Sequence, residues 1–169
     1  MVRLISTFLC LSILASTARA ESYRLLSVGL YQTNDVLTER LSDASLLADY
    51  IKKLNWAAST YLDTIQSREP AVIEIVVAFR PSGESKVWII APGEKFDAER
   101  GLTQELEKVA APHAQGGPVA FCILASLWNA PDEKKLSQPG IPSQWQDAAK
   151  ALEKPVHLPD DVLPLVWND

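Results

Sequence analysis

Ten consecutive residues, 119–128 (VAFCILASLW), carry no charged side chain. A run of this kind narrows what the chain can fold into. It is shorter than the ~20 apolar residues that span a bilayer as a helix. It is also too apolar for a wet surface, so it reads as a strand inside a sheet or against helices. Residues 71–80 (AVIEIVVAFR) form a second such strand. Ile73, Ile75, Val77 and Phe79 share one face, and Val72, Glu74, Val76 and Ala78 form a less apolar face open to partial solvation. Pro81-Ser82-Gly83-Glu84 is a turn, in which proline presets φ and glycine accepts a positive φ. Residues 86–91 (KVWIIA) return as the hairpin partner, closed by Pro92-Gly93.

Two helices accompany these strands. Ser42 or Asp43 caps the first, whose apolar stripe runs through Leu47, Ile51, Leu54, Ala58, Tyr61 and Ile65 at steps of three and four. It ends near Gln66, before Glu69-Pro70. Residues 99–111 make a shorter helix with Leu102, Leu106 and Val109 inward, stopped by Pro112. The fold class expected is α+β: a small three-stranded antiparallel sheet packed against two helices. Residues 21–41 read as an N-terminal extension in which Gly29 weakens both strand and helix. Residues 42–128 form the domain, and residues 129–169 a proline-punctuated tail with one helical window at 143–152.

Residues 1–20 read as a signal peptide. Arg3 supplies the positive start, residues 4–15 the apolar stretch, and Ala18-Arg19-Ala20 the small-residue cleavage pattern. Cleavage after Ala20 implies a periplasmic or secreted protein with no membrane span in the mature chain. The mature chain loses two of the 16 basic residues and none of the 21 acidic ones, which takes the formal net charge from −5 to −7. Binding to phosphate backbones needs clustered Lys and Arg, so nucleic acid is excluded as a partner class. Cys10 leaves with the signal peptide. Cys122 then stands alone, unable to form an intramolecular disulfide and expected as a buried apolar side chain.

VVAFRPSGESKVWIIAPG at the hairpin, LTQELEKVAAP at the second helix and GGPVAFCILASLW at the third strand together resemble the C-terminal domain of the TonB energy-transducer family, and more distantly TolA. The resemblance covers about residues 43–128 and implies a helix, hairpin, helix and final strand. The chain has Ser82-Gly83 where that family usually carries Asp-Gly. It also lacks the membrane helix and Pro-rich stalk that couple the two membranes, so no functional residues carry over.

Catalytic signatures are sparse. His113 and His157 lie near no second His or Cys, so neither a metal site nor a cofactor is expected. There is no G-x-S-x-G motif, and Gly116-Gly117 sits after a helix and before a strand, the wrong order for a phosphate loop. Glu74, an acid within a strand, is the one candidate for a periplasmic hydrolase. The function expected first is a non-catalytic interaction module that binds a protein partner in the cell envelope. A three-stranded sheet leaves an edge open, and the uncharged strand 119–128 is the expected edge, covered by a partner or by the chain's own tail. The residues assigned to partner binding are Val119, Phe121, Trp128, Trp145 and Trp167, the last two as aromatic anchors in the tail; Trp56 and Trp88 are assigned to packing. An immunity-type inhibitor of a periplasmic toxin and an envelope energy-coupling subunit are the alternatives.

Overall fold

The computed structural model describes residues 21–66, 69–91, 96, 98–131, 138–152 and 159–167; the expected signal peptide and His157 lie outside them. The elements in chain order are β1 (Tyr23–Leu30), α1 (Asn34–Arg40), α2 (Ala44–Asp63), β2 (Ala71–Phe79), β3 (Ser85–Ile90), α3 (Glu99–Glu107), β4 (Val119–Leu127), α4 (Ser143–Ala151) and α5 (Leu163–Val166). The class is α+β, but the antiparallel sheet has four strands rather than three, in the order β1-β4-β2-β3. The added strand lies in the segment read as an extension. Its burial does not alternate cleanly, Gly29 sits within it, and a register shift between Leu25 and Ser27 breaks the period of two.

β4 is therefore central, flanked by β1 and β2, and is not the open edge expected from the sequence. All nine of its residues are buried, because both faces of the sheet are covered. A strand covered on both faces reads as a continuous apolar run instead of an alternating one, which accounts for the uncharged stretch. On one face, α2 and α3 enclose a core that includes Ile73, Ile75, Val77, Phe79, Val119, Phe121 and Ile123. α2 begins where Asp43 accepts a hydrogen bond from the Ser45 amide at 2.8 Å. Its Tyr50, Leu54, Ala58 and Leu62 are buried at helical spacing, and Tyr50 meets Phe79 and Phe121 edge-on.

The opposite face is dry as well. Val76, Ala78, Ala120 and Cys122 make a trough of small side chains filled by Trp145 of α4 and by Val162, Leu163 and Val166. The C-terminal segment is thus an ordered third layer over its described residues. The chain reaches it through Trp128 and Asn129, both at positive φ (49° and 63°), an unfavourable conformation for a bulky residue. Ser126 Oγ donates to the Ala130 carbonyl across this turn at 2.8 Å.

Several polar tethers fasten the layer. Arg40 holds Asp160 through two hydrogen bonds of 2.7 and 2.9 Å and also donates to the Pro118 carbonyl at 2.6 Å. The Asp160 carboxylate raises the pKa of the Arg40 guanidinium. Lys86 Nζ donates to the Val166 carbonyl at 2.6 Å, where α5 ends, and the Arg80 guanidinium stacks over Trp167 at 5.5 Å.

Candidate binding edge

The central placement of β4 leaves β1 and β3 as the sheet's margins. They are treated differently by the fold. Along β3 the backbone groups of Val87 and Ile89 point outward, since the Arg80 amide bonds the Glu84 carbonyl and sets the alternation of the ladder. The Glu107 carboxylate of α3 accepts from the Val87 amide at 3.2 Å and stands where a neighbouring strand's carbonyl would be. Beside it runs a groove of about 560 Å3 between α3 and α4, lined among others by Trp88, Ile89, Phe96, Thr103 and Gln144. The Trp88 indole donates to Gln144 Oε1 at 2.6 Å across that groove. This margin is flanked by helices and partly capped.

β1 has no such cover. The Tyr31 amide donates to the Ala120 carbonyl, so in the antiparallel register Ser27 and Gly29 also turn their backbone groups toward β4. Leu25, Val28 and Leu30 turn theirs outward, where they meet no partner among the described residues. The same three residues lie opposite Ala125, Ile123 and Phe121, so their side chains fall on the α2 face of the sheet. They are 36%, 39% and 39% exposed. From Leu25 to Asn34 the sequence carries no charge, and charge is one of the devices that discourage strand addition at an edge. Side-chain clamps hold the strand's ends. Tyr23 donates to Asn55 of α2 at 2.6 Å. Gln32 accepts from the Ala120 amide at 3.0 Å and donates to the Pro118 carbonyl at 2.9 Å, extending the ladder with its side chain.

Four of the five residues assigned to partner binding from the sequence are buried inside the fold. Val119 and Phe121 are fully buried in the α2 face, and Trp128 is 6% exposed and packs near Phe96. Trp145 is fully buried between Tyr31 and Trp88, with ring centroids 5.1 and 5.3 Å away. Trp167 is half-buried against Arg80. The structure therefore does not bring the five together on one exposed surface. Trp88 packs as expected, whereas Trp56, also assigned to packing, is 73% exposed on the outer side of α2.

Glu74 faces the trough rather than solvent and is 6% exposed. Its Oε2 accepts from the Gly140 amide at 2.8 Å and lies 3.8 Å from Cys122 Sγ. Tyr31 donates to the Gly140 carbonyl from the other side. Burial, and then the proximity of Cys122 and Glu74, push the Tyr31 hydroxyl well above the ordinary tyrosine range. A Cβ at position 140 would stand 2.5 Å from Glu74 Oε2, so glycine is what lets the chain cross here. The acid pins the third layer to the sheet.

Among the described residues no group of three or more His, Cys, Asp or Glu is placed to hold a metal ion, and no helix is long and apolar enough to cross a membrane. Fold and edge together define a three-layer α+β protein with an antiparallel sheet exposed at one strand. No family model, no curated protein and no solved structure matches the chain.

Proposed function

We propose that the protein is an exported, non-catalytic interaction module that takes an extended segment of a protein partner onto β1 and so adds a strand to its sheet. The observation that carries this reading is the coincidence of outward backbone groups and exposed apolar side chains at Leu25, Val28 and Leu30, in a stretch without charge. Main-chain hydrogen bonds supply affinity in such pairing, and alternate side chains supply selectivity. The contrast with β3, where Glu107 occupies the Val87 amide, supports assigning the role to β1. Export and an envelope setting rest on the sequence of residues 1–20. The non-catalytic part of the reading is supported by Glu74, the strongest acid candidate, being enclosed beneath Gly140.

A photoreactive side chain at Leu30 of the exported protein tests this in the cell. The expected result is a covalent adduct with a protein that disappears when Val28→Pro removes the outward amide beside it. A Pro at that position leaves the β4 ladder intact, because only the solvent-side donor is lost. Adducts that persist unchanged in the Val28→Pro background, or none at all, refute the reading.

A further inference from the structure

We infer that the groove beside β3 binds a small organic cation, a primary or quaternary ammonium. The site is separate from the β1 edge, since β1 and β3 are opposite margins of the sheet. Its volume of about 560 Å3 falls within the ~300–1,000 Å3 of small-molecule sites. Strand addition is obstructed here, because the Glu107 carboxylate already takes the Val87 amide. The occupant is therefore a compact ligand rather than an extended chain.

The lining selects the chemistry of that ligand. Trp88 and Phe96 both contribute to the walls, and each ring is held in place. Gln144 and Trp145 fix the Trp88 indole, and Trp128 packs near Phe96. Aromatic rings, tryptophan above all, attract a cation within about 6 Å of the centroid. Glu99 is the one charged residue in the groove's described lining. Its carboxylate meets no partner among the described residues. Arg100 lines the neighbouring depression with Gln104 instead. Glu99, Thr103 and Glu107 follow at steps of four, so α3 turns one face with two acids toward β3. A cation is thus matched by rings and by carboxylates. An anion could use the first-turn amides of α4 at Ser143 and Gln144, but it would face the Glu99 carboxylate.

Choline, titrated into the isotope-labelled exported protein, tests the inference through the Trp88 indole N–H resonance, identified by its loss in Trp88→Phe. The expected result is a saturable shift with a dissociation constant on the order of 1 mM. The neutral carbon isostere, with tert-butyl in place of trimethylammonium, should bind about tenfold more weakly. Glu99→Gln and Phe96→Leu should each weaken choline binding about fivefold. Glu105→Gln, at an acid paired with Lys108 outside the groove, should leave it unchanged. Circular dichroism confirms that the variants are folded, and Glu99→Gln, which alters an exposed side chain, carries the test if Phe96→Leu is not. A neutral isostere that binds as well as choline overturns the inference, as does an affinity indifferent to Glu99→Gln or a titration that never saturates. Tighter binding of trimethylacetate than of choline also overturns it, and would assign the groove to anions through the α4 amides.

Discussion

Replacing Trp145 by Ala asks whether the C-terminal layer belongs to the folded body. Trp145 is fully buried, boxed by Tyr31 and Trp88, over the trough of Val76, Ala78, Ala120 and Cys122. A tryptophan removes roughly 200 Å2 from water on burial, or about 5 kcal/mol at 25 cal/mol/Å2. That is an upper value, because the unfolded chain already hides part of this surface. Large-to-small replacements of buried aromatics cost about 3–5 kcal/mol, and the rigid trough of small residues leaves little room to collapse into the cavity. For a domain of this size, 1 kcal/mol corresponds to about 2–4 °C, so Trp145→Ala should lower Tm by at least about 6 °C. Urea unfolding followed by circular dichroism gives the free energy directly, with Trp56→Ala as the reference at a 73% exposed site, where a change within about 0.5 kcal/mol is expected. A loss below about 1 kcal/mol at Trp145 would refute the packed third layer and restore a loosely held tail.

Two further outcomes follow from the packing. A Cβ at Gly101 would overlap the Tyr61 hydroxyl where α3 meets α2, so Gly101→Ala should cost about 1–3 kcal/mol by overpacking. Tyr61→Phe should recover part of that loss, and a double-mutant cycle in urea that shows no coupling would contradict the contact. Burial raises the pKa values of the Tyr23, Tyr31 and Tyr50 hydroxyls. The unfolded chain therefore gives up its phenolic protons first, from about pH 10. The stabilisation is complete below that pH and is lost as pH rises toward the folded-state values. Urea midpoints measured from pH 8 to pH 11 should fall at the alkaline end, less steeply in Tyr31→Phe than in the parent; equal slopes would contradict the burial of Tyr31.

Legibility in the sequence followed how much each element decides locally. α2 was readable because its stripe, its Asp43 cap and its length all favour one answer, and the β2–β3 hairpin because Pro81 and Gly83 fix a turn between apolar runs. β4 was readable as a strand but not as a central one. An uncharged run states that it is covered without stating by what, and the covering elements are α4, α5 and β1, all distant in sequence or weakly patterned. β1 was obscured by Gly29 and by the register shift after Leu25, and its exposed Leu25, Val28 and Leu30 break the rule that apolar positions point inward. That departure is the signal of the candidate edge. It was present as the charge-free stretch from Leu25 to Asn34, but it becomes meaningful only once the strand order is known. The C-terminal layer was hidden by its prolines. It packs through a few large side chains, among them Trp145, whose place in a proline-punctuated tail suggests a partner-binding anchor but whose ring neighbours are Tyr31 and Trp88.

The most direct test of the account is amide hydrogen exchange along β1 in the monomeric protein, read residue by residue. Ser27 and Gly29, bonded to β4, should exchange slowly, while Val28 and Leu30 between and beyond them exchange quickly, an alternation that only an uncovered strand produces. Val28 and Leu30 as slow as Ser27 in the monomer would mean that the edge is already occupied, and the proposed binding surface would be lost.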